Sequence, residues 1–74
     1  MATVRIEFSP IREAFLHGYR ASDGYHRVEV VRCYAGQWAV FKYRFGAQLR
    51  DPDARDMVYA SAMKHAREWM AAQA

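Results

Sequence analysis

Hydrophobic and polar positions follow a strand-like pattern most clearly in residues 25–45. β-branched and aromatic side chains, which pack well on a pleated sheet, dominate this stretch. They are Val28, Val30, Val31, Trp38, Val40, Phe41, Tyr43 and Phe45. The pattern predicts a β-hairpin with its turn at residues 34–37, because Gly36 adopts positive φ without steric cost.

Two registers of this hairpin are compatible with the sequence. A two-residue loop at Ala35 and Gly36 sets Glu29 opposite Lys42, which is a favourable cross-strand pair. A turn followed by a bulge at Gly36 slips the pairing by one residue and sets Glu29 beside Phe41. We favour the first register because the slip exchanges the two faces and loses the charge pair. Its weak point is Ala35, which would also need positive φ.

In the favoured register, one hairpin face is apolar and the other mixes charged and apolar side chains. The apolar face contains Val28, Val30, Ala39, Phe41 and Tyr43. The mixed face is the main candidate binding surface, since cations neutralise phosphates and an aromatic ring stacks on a base. Its candidate binding residues are Arg27, Trp38, Lys42 and Arg44, together with Arg5 from an earlier strand. The competing interpretation is a solvated face with one half-covered tryptophan.

The N-terminal part of the chain allows two interpretations. Residues 3–8 alternate as in a half-buried strand. Ser9 and Pro10 then favour the start of a short helix that ends at Gly18. The alternative is a strand near residues 15–20 that turns at residues 22–24 into the hairpin. The residues expected on the inner side of the first strand are Val4, Ile6 and Phe8.

A long helix is predicted in the C-terminal part. Asp51 is a good N-cap and Pro52 suits the first helical position, so we expect a helix from Pro52 to about Ala72. Its core-facing stripe is expected at Val58, Ala62, His65 or Ala66, and Trp69. Tyr59, Met63 and Met70 extend this stripe on one flank. They form a secondary candidate binding surface, because methionine and aromatic side chains adapt well at interfaces; otherwise they cover the sheet edge.

These elements predict an α+β fold, with residues 1–74 forming a single small domain. The expected architecture is an antiparallel sheet of three to four strands with one long C-terminal helix packed on one face. The element order is β-α-β-β-α, or β-β-β-β-α if the stretch after Pro10 is a strand.

Length, charge and cysteine content limit the possible core, partner and cellular location of the protein. With 74 residues and 53% hydrophobic content, the chain must use most of its apolar side chains in one core. Its net charge of +3 is concentrated before residue 51, which fits a nucleic-acid or acidic-protein partner. The single cysteine, Cys33, excludes an internal disulfide. No N-terminal targeting pattern and no long apolar run are present, so we expect a cytoplasmic protein with no membrane partner.

No pattern in the sequence indicates a metal, a cofactor or an enzymatic site. His17, His26, Cys33 and His65 do not stand at spacings that bring two ligands to one ion. We therefore expect no cofactor and no catalytic residue. A toxin-like ribonuclease is one alternative, because such enzymes need only a few suitable side chains on a sheet. Its residues would be His26, Arg27, Tyr43 and Arg44.

The layout of hairpin and helix resembles the arm-site DNA-binding domains of phage-type integrases. The stretches that carry the resemblance are Gly36–Val40 in the last strand and His65–Trp69 near the end of the helix. It implies three strands followed by a helix. It transfers no functional residue, because those domains lack a motif specific enough to match here.

The function expected from these features is non-catalytic binding. Our first hypothesis is a phage- or mobile-element-type accessory or inhibitor protein that docks on a host nucleic-acid machine, such as RNA polymerase or a CRISPR effector. The second is direct DNA or RNA binding by the mixed sheet face, and the third is the ribonuclease. A protein partner is favoured, and a homodimer is compatible with the sequence.

Overall fold

The structure is a computed structural model that describes residues 6–49 and 55–73. Within these ranges the chain forms one antiparallel sheet, in which five strands lie side by side in chain order, and one C-terminal helix. The elements are β1 (Ser9–Pro10), β2 (Gly18–Ser22), β3 (His26–Arg32), a 3-10 turn (Tyr34–Gly36), β4 (Trp38–Arg44), β5 (Ala47–Leu49) and α1 (Tyr59–Ala72). The α+β class and the C-terminal helix are confirmed, whereas the sheet has five strands instead of three or four.

The helix packs on the centre of the sheet through small side chains. Ala62 and Ala66 have no exposed surface, and neither do Val28 and Val30 on β3. Alanine keeps the side chain short, so the helix axis can approach the two valines closely. The core cluster is made of Ala21, Val28, Val30, Val40, Ala62, Met63, Ala66 and Met70. Ile6, Phe8, Trp38, Met57 and Trp69 pack around it.

The short helix expected after Pro10 is wrong, and the alternative strand is correct. Pro10 lies in β1 opposite Tyr19, and β2 begins at Gly18. Proline is tolerated at a sheet edge because it need not donate to a neighbouring strand. A Cβ atom on Gly18 would lie 2.1 Å from the carbonyl oxygen of Val30, so this glycine allows close strand pairing. The Ile6 and Phe8 side chains pack against the core as expected, but residues 6–8 belong to no strand, so the strand expected there is wrong. Residues 3–5 lie outside the described ranges.

The favoured hairpin register is also wrong. Glu29 pairs with Phe41, and Val28 pairs with Lys42. Ala35 has a φ of 62° and Gly36 has a φ of 74°, as a two-residue hairpin turn requires. The extra residue lies before the turn: the Cys33 N–H donates to the Gln37 carbonyl, and the Gln37 N–H donates to the Tyr34 carbonyl. This bulge shifts the pairing by one residue. The β4 side chains therefore lie on the face of the sheet opposite to the one expected.

The helix begins later than the sequence indicates. Met57 and Trp38 exchange two backbone hydrogen bonds, of 2.8 Å and 3.0 Å, as an isolated bridge beside β4. Val58 is extended, with φ −72° and ψ 156°, and Tyr59 is the first helical residue. The start predicted at Pro52 is therefore wrong, because Met57 is bridged to Trp38 of β4 and Val58 is still extended. Asp51 and Pro52 themselves lie outside the described ranges.

The apolar stripe of the helix is rotated from the expected one. Met63 and Met70 are buried in the core, whereas Val58 precedes the helix and is 68% exposed. Trp69 is half-buried at the border of the core. Met63 and Met70 thus stabilise the contact between helix and sheet and do not form an exposed flank.

Replacing Met70 with alanine tests this assignment. The change should lower the free energy of unfolding by about 2–5 kcal/mol, because a buried methionine leaves a cavity when it is shortened. Val58→Ala is the matched control and should change stability by no more than about 0.5 kcal/mol, since Val58 is exposed. Urea denaturation of both variants would measure the difference. Equal stability of the two variants would show that the stripe has been placed incorrectly.

Candidate functional site

The five residues predicted for the main binding surface do not share one face. Because cross-strand partners lie on the same side of a sheet, the observed register puts Trp38, Lys42 and Arg44 on the helix side. Arg27 lies on the opposite side, which we call the outer face. Arg5 lies outside the described ranges. The mixed face proposed from the sequence is therefore not a single surface.

Trp38 and Lys42 take part in packing on the helix side. The Trp38 ring meets the Tyr59 ring edge-on, with 4.8 Å between centroids. Lys42 is buried, and its ammonium group lies 5.9 Å from the centre of the Trp69 ring. Lysine buries its aliphatic stem readily along apolar surface, and the ring faces its charge. Lys42 is therefore buried and Trp38 is half-buried.

Arg27 belongs to an ionic and aromatic network on the outer face. Its guanidinium carbon lies 4.1 Å from the centre of the Tyr43 ring. Glu29 is buried between two arginines: its carboxylate accepts a hydrogen bond from Arg20 and lies 3.9 Å from Arg27 Nε. Burial, and then the negative charge of Glu29, raise the pKa of Tyr43 above its ordinary value. The network neutralises much of the positive charge expected on this face.

In the secondary candidate surface, only Tyr59 is exposed. Met63 and Met70 are buried in the core. Tyr59 contacts both Trp38 and Tyr19 with its ring, at centroid distances of 4.8 Å and 6.0 Å. The exposed part of Tyr59 therefore belongs to a packed cluster of three aromatic rings at the start of the helix.

The clearest exposed aromatic pair lies at one end of the sheet, which we call the Tyr25–Phe45 end. Tyr25 is 65% exposed and follows the turn between β2 and β3, while Phe45 is 75% exposed in the turn between β4 and β5. Their rings meet edge-on at 5.7 Å. The Phe45 N–H donates to the Tyr25 carbonyl at 2.8 Å, so the two turns are joined by backbone as well as by side chains.

Phe45 occupies a strained backbone position. Its φ is 51°, in the left-handed region that glycine and asparagine adopt more easily than phenylalanine. Gly46 follows with a φ of 81°, as a tight hairpin turn requires. A large aromatic residue that is strained and exposed at the same time gains little for the fold, which makes it a candidate for function.

Asp23 and His26 stabilise the turn that carries Tyr25. The Asp23 Oδ1 atom accepts hydrogen bonds from the backbone N–H groups of Tyr25 (2.9 Å) and His26 (2.7 Å). His26 Nδ1 lies 3.3 Å from Asp23 Oδ2. The His26 ring faces Trp69 at 6.0 Å and Phe45 at 6.5 Å. Tyr25 is thus held by its turn, and Phe45 is linked through the His26 ring to Trp69 near the end of the helix.

Two arginines lie at the rim of the Tyr25–Phe45 end. Arg44 is exposed and precedes Phe45; its Nη2 atom donates to Gln73 Oε1 at 3.3 Å. Gln73 in turn donates to the Trp69 carbonyl at 3.0 Å, near the end of the helix. Arg27 lies one row further along β3, on the outer face. Because Glu29 lies close to Arg27, the positive charge of the rim comes mainly from Arg44.

Sequence reasoning missed Tyr25 and Phe45 as site residues because it assigned both aromatics to the strand pattern. The Phe45-Gly46 pair after the last alternating position could have indicated a turn, since glycine often supplies positive φ there. The adjoining phenylalanine is then at the tip and not in the sheet.

The residues proposed for a ribonuclease fall into two separate pairs. His26 and Arg44 are cross-strand partners on the helix side, and Arg27 and Tyr43 are partners on the outer face.

Within residues 6–49 and 55–73, no three His, Cys, Asp or Glu side chains are grouped closely enough to hold a metal ion. Over the same residues, no helix is both long enough and apolar enough to cross a membrane.

Comparisons with known proteins add no family to this description. Nothing matches the chain among protein-family models, curated proteins or solved structures.

The pH dependence of stability tests the support that Asp23 gives. Backbone donation from His26 and Tyr25 lowers the pKa of Asp23 below its ordinary value of 3.8. A lowered pKa contributes stability that is fully present above 3.8 and is lost as the pH falls through the lower folded value. Asp23→Asn keeps the accepting oxygen but removes this titration.

We therefore expect wild type to lose more stability than Asp23→Asn between about pH 5 and about pH 2.5. Thermal melts across this range would measure the two curves, and the other carboxylates serve as a common background. Parallel curves would contradict the assigned role of Asp23.

Proposed function

We propose that this chain is a small non-catalytic binding protein that docks on an acidic surface of a protein partner through its Tyr25–Phe45 end. The observation that carries the proposal is Phe45, which is 75% exposed at a φ of 51° and is held against Tyr25. Strained backbone is retained at positions that have a use beyond folding.

The aromatic pair has the properties of a binding anchor. Tyr25 and Phe45 contact each other, and the turn that carries Tyr25 is fixed by Asp23. Rigid aromatic side chains bury a large area while losing little conformational entropy, so they commonly dominate the energy of an interface. A partner with an apolar pocket can cover both rings without reordering the loops.

The charge of the rim favours an acidic partner. Arg44 is exposed and directly precedes Phe45, while the carboxylate of Asp23 is engaged by backbone N–H groups and His26. Charges at the rim of an interface mainly raise the association rate and exclude partners of like charge. An apolar pocket surrounded by Asp and Glu side chains is the complementary surface.

For the identity of the partner, we propose a host nucleic-acid machine such as RNA polymerase or a CRISPR effector. The support is the small size of the chain, its net charge of +3 and its basic rim. A net positive charge attracts acidic surfaces and raises the rate of encounter with them.

Replacing Phe45 with asparagine tests the docking surface. Asparagine tolerates a positive φ, so the variant should fold with a similar melting temperature. Affinity for the partner should fall by about 30-fold or more, as is usual when an aromatic hot spot is removed. The partner would first be captured from nuclease-treated host lysate on tagged wild-type protein, then purified and titrated calorimetrically with each variant.

Phe15→Asn is the matched control, because Phe15 is an exposed phenylalanine with a φ of 70° at the other end of the sheet. It should bind the protein partner like wild type. Loss of the partner on nuclease treatment, or equal binding by the Phe45 variant and wild type, would contradict the proposal. Self-association of wild type that Phe45→Asn abolishes would instead identify a second copy of the chain as the occupant.

A further inference from the structure

The end of the sheet opposite Tyr25 and Phe45 carries a second set of exposed aromatic and basic side chains. The loop between β1 and β2 meets the end of β3 here, where the Arg32 N–H donates to the His17 carbonyl at 2.8 Å. The turn between β3 and β4 lies beside it. We call this the Phe15–Tyr34 end; its relevant side chains are Arg12, Phe15, Arg32 and Tyr34.

Phe15 is fully exposed on a loop that is held in place. The Leu16 N–H donates to the Glu13 carbonyl at 3.2 Å, which closes a turn with Phe15 at its third position. The φ of Phe15 is 70°, where such a turn favours glycine. Ile11 is tied to Gly18 by a 2.9 Å backbone hydrogen bond, and Glu13 accepts from Arg20 at 3.0 Å. The exposure of Phe15 therefore results from a fixed loop conformation.

Tyr34 projects from the neighbouring turn in the same manner. It is 93% exposed and precedes Ala35, a further non-glycine residue with a positive φ, of 62°. Among the described residues, neither the Phe15 ring nor the Tyr34 ring packs against another ring. Both rings consequently offer open faces, unlike the edge-on pair at the opposite end.

Two positively charged side chains at this end of the sheet are accessible to a ligand. Arg12 and Arg32 are both exposed, and neither makes an ion pair within the part of the chain that the structure describes. The acidic residue on the loop, Glu13, is engaged by Arg20. Two arginines that form no ion pair with another described residue thus lie at the same end of the sheet as two open aromatic rings.

We infer that the Phe15–Tyr34 end binds single-stranded nucleic acid. Bases stack on the two rings while Arg12 and Arg32 contact the phosphates, which is the combination that single-strand-binding surfaces use. Paired bases in a duplex are already stacked on each other, so inserting a ring between them costs unstacking energy, and a single strand is favoured. The inference is independent of the proposed protein docking, which uses the other end of the sheet.

Fluorescence anisotropy with labelled single strands of about 15 nucleotides, both oligothymidylate and oligouridylate, tests the inference. Wild type should bind at about 50 mM salt and lose affinity as salt is raised. Phe15→Asn and Tyr34→Ser should each weaken binding by about 5- to 150-fold, because each removes one stacking platform. Combined Arg12→Gln and Arg32→Gln should reduce the slope of log K against log salt by about 1.4, the value for two phosphates of a single strand.

Phe45→Asn is the control and should bind the oligonucleotides like wild type. Melting temperatures of all variants would confirm that the fold is retained; asparagine suits the φ of Phe15, and Tyr34 is exposed. Absence of oligonucleotide binding by wild type at about 50 mM salt would overturn the inference. So would unchanged binding by Phe15→Asn and Tyr34→Ser, or a loss that occurs only in Phe45→Asn. Failure of the protein-docking proposal would leave these oligonucleotide results unaffected.

Discussion

The close contact of the helix with β3 is the constraint on which the rest of the structure depends. Ala62 and Ala66 lie over Val28 and Val30, and none of the four has exposed surface. This contact decides which face of the sheet is inside and which side chains are left outside. It also directs the helix along the strands, with Tyr59 near the β3–β4 turn and Trp69 near His26. The two ends of the sheet are thereby left uncovered by helix.

The elements were more predictable from the sequence than their pairing. The alternation in residues 25–45 and the apolar spacing after Val58 are local patterns, and both correspond to observed elements. The register depends on Ala35 taking a left-handed conformation and on one bulged residue, and neither has a local sequence rule behind it. The helix start depends on Met57 pairing with Trp38, which is distant in the chain. Long-range pairing overrides local propensity in such cases.

The same reasons explain why the candidate surfaces were missed. A one-residue slip moves Lys42 under the helix and separates it from Arg27, so the expected basic face divides into two. Phe15 and Phe45 are hydrophobic, and composition alone assigns such residues to the core. Their exposure becomes visible only with the backbone, because both hold a positive φ in tight turns. In this chain the turns, more than the strands, determine what a partner can touch.

The positions of the two tryptophans give the molecule a built-in optical probe for each end. Trp38 is in the first row of β4, beside the turn that carries Tyr34, and its ring is half-buried against Tyr59. Trp69 lies at the far end of the helix, separated from Phe45 by the ring of His26. Replacing either tryptophan with phenylalanine leaves a single emitter near one end. The emission of each single-tryptophan variant can therefore report whether a ligand binds near that end, without any attached dye.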